Sequence, residues 1–343
     1  MSTGFNVAIA GATGAVGAEF IRLLEEREFP VRQLKLLASA KSVGKSLEFK
    51  GQRIEVELLS EGSFRDIDLA LFSAGAGTSR RFAQHAVESG AVVVDNSSAF
   101  RMEEDVPLVI PEINFADISA NHRIIANPNC TTIIALMGLY PLHREFGVHR
   151  VIASSYQAVS GAGARAINEL FFQAKAHLAG ESYKPEVFPH PIAFNVLPQV
   201  DLFLESGYTK EELKFANESR KILHHADLRA SITCVRVPVF RAHSVAVHAE
   251  FDRAVSVDEA REALAKFPGL QVIDNVNEKQ YPMPLNCAGK NDCQVGRIRI
   301  DSAFDNGLAF WVCGDQLLKG AALNAVQIAE NLAPSSRLAG GPF

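Results

Sequence analysis

The chain opens on an apolar run, Phe5-Asn6-Val7-Ala8-Ile9-Ala10, which breaks at Gly11-Ala12-Thr13-Gly14-Ala15-Val16-Gly17 and resumes at helical spacing through Phe20, Ile21, Leu23 and Leu24 towards Pro30. A short apolar run bounded by turn residues predicts a buried strand, and apolar positions three and four apart predict a helix. The same alternation continues with strands at Leu34–Ala38, Leu47–Phe49, Ile54–Glu57, Leu69–Phe72 and Ala91–Val94, a helix from about Ser79 to Ser89, and a strand at Arg123–Ala126. Strand, helix, strand in succession predicts a parallel, doubly wound sheet.

From Thr131 a helix runs through Ile133, Ile134, Leu136, Met137 and Leu139. Pro141 is expected to kink or split it, and Gly147 to end it. The pattern then changes. Strands at Arg150–Ser155, Ile232–Val239, Ser244–Phe251, Leu270–Asp274, Val295–Ile300 and Leu308–Val312 are interleaved with helices at about Ala164–Ala179, Lys210–Leu223 and Val257–Lys266, which reads as a second, α+β domain. Residues 183–198, with four prolines among bulky aromatics, are expected to be irregular but packed. Lys319 to Leu332 reads as a final helix long enough to return to the first domain, giving expected domains of 1–129, completed by 317–343, and 130–316.

With 343 residues, the chain has room for two cores. The net charge of −5 argues against nucleic acid or an anionic membrane as the main partner, so an anionic substrate needs a local basic site. Met1-Ser2-Thr3-Gly4-Phe5 lacks the basic and apolar blocks of a secretory signal, and five cysteines in a chain this long do not form a disulfide framework. A cytoplasmic, reduced protein is expected. Cys287 and Cys293 have no histidine or further cysteine close by in sequence, and the adjacent His224 and His225 do not converge on one ion, so no metal site is expected.

The glycine loop sits between a strand and a helix, the context of a dinucleotide-binding turn, where backbone N–H groups and the helix N-terminus hold a pyrophosphate. The second strand ends in Ser39-Ala40-Lys41-Ser42 with no carboxylate for a ribose 2′-OH; two hydroxyls and a lysine suit a 2′-phosphate, so NADP is expected. Small-residue loops at 73–78, beginning at Ser73, and at 95–98 close two further strands and are expected to face the cofactor, with Arg101 just beyond as a candidate anion clamp. Cys130, in Asn127-Pro128-Asn129-Cys130-Thr131-Thr132, falls at a helix N-terminus, where a thiolate nucleophile is stabilised. Gln157 lies at a strand end where it could donate to a reacting carbonyl, and Arg236 inside an apolar strand wants an anion partner. His243 at a strand junction is a candidate acid/base.

Together these stretches resemble the aspartate-β-semialdehyde dehydrogenases, in the shorter bacterial-type branch: Gly11–Gly17, Asp95–Arg101, Asn127–Thr132, Tyr156–Gly163, Glu211–Lys214, Arg236 through His243, and Val295–Arg299. The resemblance implies an N-terminal Rossmann-like domain and an α+β catalytic and dimerisation domain of the glyceraldehyde-3-phosphate dehydrogenase type. It implies Cys130 as nucleophile, His243 as acid/base and Gln157 as orienter of the acyl group. Arg236 would take the substrate α-carboxylate, Glu211 its amine, Arg101 and Lys214 the phosphate, and Asn129 would help position the thioester. For NADP(H) it implies Gly11, Thr13, Gly14, Ala15, Val16, Ser39, Lys41, Ser42, Ser73, Ser160, Gly161 and Gln316, the last standing where the family commonly has asparagine. The implied partners are aspartyl phosphate or aspartate semialdehyde, inorganic phosphate, and a second copy of the chain in a homodimer or dimer of dimers. N-acetyl-γ-glutamyl-phosphate reductase is the nearest alternative, but it needs no free-amine ligand such as Glu211. A phosphorylating dehydrogenase of the glyceraldehyde-3-phosphate type does not need Arg236 placed for a carboxylate. A non-catalytic NADP-binding paralogue would be expected to have lost Cys130 or His243.

Overall fold

The computed structural model describes residues 4–333, so the last ten residues of the expected 317–343 segment lie outside the described residues. The chain divides into two units, Met1–Asn129 with Ala321–Phe343, and Cys130–Gly320.

In the first unit the apolar runs form strands β1 (Phe5–Ala10), β2 (Val31–Ala38), β3 (Ser46–Phe49), β4 (Gln52–Leu58), β5 (Leu69–Phe72), β6 (Val92–Asp95) and β7 (Ile124–Ala126), in the order β3-β4-β2-β1-β5-β6-β7. All neighbours run parallel except the β3–β4 hairpin at the edge. Burial on both faces explains why these strands carry unbroken rather than alternating apolar residues. Helices α1 (Ala15–Glu26), α2 (Ala76–Glu88) and the single turn α3 (Pro111–Asn114) accompany the sheet.

The second unit begins with α4 (Cys130–Phe146), whose buried face runs from Thr131 to Leu142. It continues unbroken across Pro141. A proline removes one N–H and crowds one carbonyl of the preceding turn; the deeply buried apolar surroundings of α4 outweigh that loss. Strands β8 (Val148–Gln157), β9 (Arg229–Arg236), β10 (His243–Phe251), β11 (Leu270–Val272), β12 (Cys293–Asp301) and β13 (Gly307–Gly314) pair in the order β11-β12-β13-β10-β8-β9. Helices α5 (Ala164–Leu178), α6 (Lys210–Ile222), α7 (Val257–Ala265) and the short α8 (Pro284–Cys287) complete the unit. β9 stops at Arg236 rather than running to Val239, because Pro238 has no N–H to continue the ladder.

The expected last helix is a π-helical turn at Leu318–Ala322 followed by α9 (Leu323–Leu332). α9 belongs to the first unit, where the Asn324 amide donates to Val109 O at 2.9 Å and Asn127 Oδ1 at 2.7 Å, and Arg27 pairs with Glu330 at 2.7 Å. The sequence put the return at 317, but residues 317–320 stay with the second unit: the Leu317 amide donates to the Asp315 carboxylate at 2.9 Å, and the Gly320 amide to the Asp315 carbonyl at 3.0 Å. Among the described residues no helix is long and apolar enough to cross a membrane.

Candidate active site

Four strands of the second sheet bring their ends to one edge. The parallel pair β8 and β9 end side by side at Gln157 and Arg236, β10 starts there at His243, and β13 finishes opposite it at Gly314. Residues remote in sequence therefore converge without any loop having to reach for them.

A capping box starts α6. Thr209 Oγ1 accepts from the Glu212 amide and the Glu212 carboxylate accepts from the Thr209 amide, while Glu212 also takes the Cys234 amide of β9 at 3.0 Å. That fastening presents Glu211 and Lys214, three residues apart on one face, towards the strand ends. Glu211 accepts from Gln157 Nε2 at 3.0 Å and pairs with Lys214 at 3.1 Å, and Lys214 also pairs with Asp201 at 2.9 Å. Burial pulls the Lys214 ammonium downward, but Glu211 and Asp201 outweigh it and hold its pKa above the usual lysine value. Gln157 Nε2 also donates to Thr131, the residue after Cys130. Both amide hydrogens are thereby committed, and the buried atom left without a partner is Oε1, an acceptor. The expected donation from Gln157 to a reacting carbonyl does not match this arrangement; the side chain instead ties Thr131 to Glu211.

Ala158, one residue on, links this network to the next. Its carbonyl accepts from Arg236 Nη1 at 2.8 Å and its amide donates to His243 Nδ1 at 3.0 Å. Arg236 is buried, lies over the Phe188 ring, and has no carboxylate within ion-pair distance among the described residues. Burial lowers its pKa, and the charges of Glu211 and Cys130 act in the opposite sense. Gly161 occupies the gap beside Arg236 and His243: a Cβ there would sit 3.0 Å from Arg236 Nη1 and 3.2 Å from His243 Nε2. The fully buried His243 ring has Nδ1 occupied as an acceptor, so when neutral it carries its proton on Nε2, which has no partner among the described residues. Burial, with Arg236 adding to it, holds this imidazole well below the usual histidine value. Cys130 is the first residue of α4 and is partly exposed. Gly320 abuts it closely: a Cβ there would lie 3.0 Å from Cys130 Cβ, so a larger residue would have to push Cys130 aside by a few tenths of an ångström.

The titration of His243 has a consequence for stability. His143 on α4 is lowered too, by burial and by the neighbouring His225. Both rings are neutral in the fold and take up a proton on unfolding once the pH drops below their ordinary value of 6.5. Their contribution is complete above that pH and is lost as the pH falls towards the folded values, with a limiting slope of about 1.4 kcal/mol per pH unit per group. Thermal melts between pH 8 and pH 5 should show Tm falling on the acid side of about 6.5, with a smaller fall in His243→Gln; an identical profile for both proteins would refute this account.

In the first unit a cavity of about 480 Å³ is lined by Gly11, Thr13, Gly14, Ala38, Ser39, Ser73, Ala74, Thr78 and Arg81 among others. It lies at the carboxyl ends of β1, β2 and β5, where a doubly wound sheet receives ligands. Gly17 cannot carry a side chain, because a Cβ would collide with the Gly11 carbonyl. Ser73 Oγ is buried without a partner, and no carboxylate lines the cavity. These features fit a phosphorylated dinucleotide. Ala15 and Val16 open α1, and Ser42 is tied to the loop by Thr13 Oγ1 at 3.1 Å, with Lys41 beside it. Arg101 donates to Asn127 O and Asn96 O at 2.9 and 3.1 Å, bracing the stretch that leads through the buried Asn129 to Cys130. Ser160, Gly161 and Gln316 lie in the second unit, where Gln316 Nε2 donates to Ser160 Oγ and Gln316 Oε1 accepts from the Ala242 amide at 2.8 Å.

Sequence reasoning passed over Arg81, whose only signal was its place one turn beyond Thr78 on α2. It also missed Glu169 and Gln173, i and i+4 on α5. Glu169 accepts the amides of Glu186 and Val187 at 2.9 and 2.6 Å, and Gln173 those of Ile192 and Ala193 at 2.7 and 3.1 Å. They pin the irregular 183–198 segment so that Phe188 covers Arg236.

Two family descriptions match the chain: semialdehyde dehydrogenase, NAD binding domain, over residues 6–121, and semialdehyde dehydrogenase, dimerisation domain, over residues 139–319. The aspartate-semialdehyde dehydrogenase of Aquifex aeolicus is 52% identical over 333 residues, covering 96% of this chain and 98% of that protein. Aspartate semialdehyde dehydrogenase II of Vibrio cholerae has a TM-score of 0.94 at 43% identity, over 96% of this chain and 99% of that one. The same enzyme complexed with ASA matches at 0.94 and 42%, over 96% and 98%. Aspartate semialdehyde dehydrogenase of Candida albicans with NADP has a TM-score of 0.77 at 25% identity, over 97% of this chain and 99% of that one. These matches bear out the expected fold class, an α/β N-terminal nucleotide-binding domain followed by a dimerisation domain.

Proposed function

The chain belongs to the aspartate-semialdehyde dehydrogenase family, and from that premise we propose that it reduces L-β-aspartyl phosphate to L-aspartate β-semialdehyde with NADPH, through a thioacyl intermediate on Cys130, in the biosynthesis of lysine, threonine, methionine and diaminopimelate. The observation that carries this reading is the opposition of a buried cation, Arg236, and a buried carboxylate, Glu211, close enough for their charges to interact and both beside the Cys130 helix start. A zwitterionic amino acid with a reactive side chain is the substrate such a pair selects. The Vibrio cholerae relative complexed with ASA and the Candida albicans relative with NADP support the substrate and the cofactor.

The Cys130 sulfur forms a C–S bond to the acyl carbon as the C–O bond to phosphate breaks. The N-terminus of α4 favours the thiolate that attacks. Bound NADPH supplies the hydride that reduces the thioester; collapse of the resulting hemithioacetal regenerates the Cys130 thiolate and releases the aldehyde. His243, with its proton on Nε2, acts on this reading as a donor to the oxygen that gains charge in both steps, rather than as the base that keeps Cys130 deprotonated. Arg236 holds the α-carboxylate, Glu211 the amine, and Gln157 keeps Glu211 and Thr131 in place. Arg101 and Lys214 receive the phosphate, Lys214 exchanging its contact with Asp201 for that anion, and Asn129 helps position the thioester. Ser39, Lys41 and Ser42, with Arg81 added by the cavity, hold the 2′-phosphate. The protein acts in the cytoplasm as a homodimer or dimer of dimers, for which the dimerisation-domain match is the support.

The test is phosphate-dependent reduction of NADP, comparing aspartate semialdehyde with N-acetylglutamate semialdehyde. Activity with the first alone is expected. Activity with the second alone would keep the chemistry and remove the roles given to Glu211 and Arg236; silence with both would refute the reading.

A further inference from the structure

The corner that carries His243 is strained. Ala242, immediately before it and fully buried, has φ +73°, a left-handed conformation that is disfavoured for a residue with a Cβ. Such a conformation persists only where its surroundings hold it, and here the holders are identifiable. The Ala242 amide is taken by Gln316 Oε1. The preceding residue, Arg241, places Nε 2.6 Å from Asp315 Oδ2. Asp315 is fully buried, and its carboxylate also accepts from the Gly289 amide at 2.6 Å and the Leu317 and Leu318 amides at 2.9 and 3.2 Å. Its main-chain carbonyl takes the amides of Leu318 and Gly320 at 3.2 and 3.0 Å, shaping the turn whose Gly320 abuts Cys130. One dipeptide, Asp315-Gln316, therefore braces the His243 corner on one side and the wall against Cys130 on the other, and neither side chain needs a substrate contact to do so.

We propose that Asp315, with Arg241 and Gln316, is the positioning element of this site: it fixes the aim of His243 and the seat of Cys130 relative to each other. The proposal rests on the reading of Cys130 and His243 given above. It also changes the part expected of Gln316, whose amide bridges Ala242 and Ser160 as a brace in the protein in addition to any contact with cofactor. Because the element acts through geometry, its loss should slow the chemical step and leave ground-state binding largely intact; misplacing reacting groups by ~1 Å costs about 10²-fold.

The experiment measures kcat and KM for aspartate semialdehyde, the Kd for NADPH, and the rate of Cys130 alkylation by iodoacetamide, in the full chain and in Asp315→Asn, Arg241→Gln and Arg241→Lys. In Asp315→Asn the amide nitrogen faces donors that the carboxylate had satisfied. A kcat lower by about 10- to 100-fold is expected there, with KM and Kd within roughly threefold and altered alkylation. Arg241→Gln should follow it, and Arg241→Lys, which keeps the charge opposite Asp315, should recover a substantial part of kcat. Arg241 is partly exposed, so its variants carry the test if Asp315→Asn does not fold. Unchanged kcat in folded Arg241→Gln, or KM rising as much as kcat falls, overturns the proposal. Absence of semialdehyde activity in the unaltered protein would instead overturn the reading on which it rests.

Discussion

Cys130→Ala abolishes turnover: kcat falls by roughly 10⁴-fold or more, the scale seen when a nucleophile is removed from a site whose binding groups remain. NADPH affinity should hold within about twofold, since the cavity at the glycine loop contains no part of Cys130. Alanine keeps the Cβ that meets Gly320 and removes only the sulfur, so folding is not the reason for the loss. The same residue is singled out by reagents. Cys234, Cys287, Cys293 and Cys313 are all fully buried, and burial pushes the Cys234 thiol up to about 12, whereas Cys130 is partly exposed. One equivalent of iodoacetamide should therefore label Cys130 and extinguish activity in step with labelling. Turnover retained by the alanine variant, or activity surviving complete labelling of Cys130, would remove it as nucleophile.

Arg236→Leu should reduce kcat/KM by roughly 10²- to 10³-fold, the range for leaving a charge unpaired in a desolvated site. The leucine leaves the Ala158 carbonyl with the Gly161 amide alone and the substrate carboxylate without its cation. Lysine should not restore the activity, because the guanidinium addresses a carboxylate as a planar fork while also reaching Ala158. A substrate lacking the α-carboxylate, β-aminopropionaldehyde, separates the two losses. The unaltered enzyme should be penalised for the missing carboxylate and the variant hardly at all, so the two changes should not add. Full additivity would assign Arg236 a purely structural part.

The first sheet was legible because parallel strands buried on both faces write themselves as short apolar runs, and the glycine loop marks where the first one stops. Cys130 at a helix start and the spacing between Arg236 and His243 were equally plain. Roles were less so. Periodicity offers no reason to connect Arg241 with Asp315, since an ion pair between strand ends is formed by the topology of the sheet and leaves no local pattern. Gln157 illustrates the same limit. Its place at a strand end was right, but which of its amide atoms remains available depends on Thr131 and Glu211, which arrive from two helices. Glu169 and Gln173 look like solvent-facing positions on an amphipathic helix until the 183–198 segment is laid over them. Pro141 misleads in the opposite way: a helix-breaking residue is tolerated where enough apolar burial surrounds it.

The first unit is assembled from both ends of the chain, and that has a bearing on synthesis. As the polypeptide emerges from the ribosome, the seven-stranded sheet is available early, but α9, whose Asn324 ties Val109 and Asn127 together, is the last described helix to appear. Until the whole second unit has been made, the stretch leading to Cys130 is held by Arg101 and Asn96, without the Asn324 contact. A product truncated before Ala321 carries Cys130 and every described strand, yet lacks the helix whose Asn324 reaches Asn127 and Val109, so emergence of α9 is itself a checkpoint on assembly of the first unit.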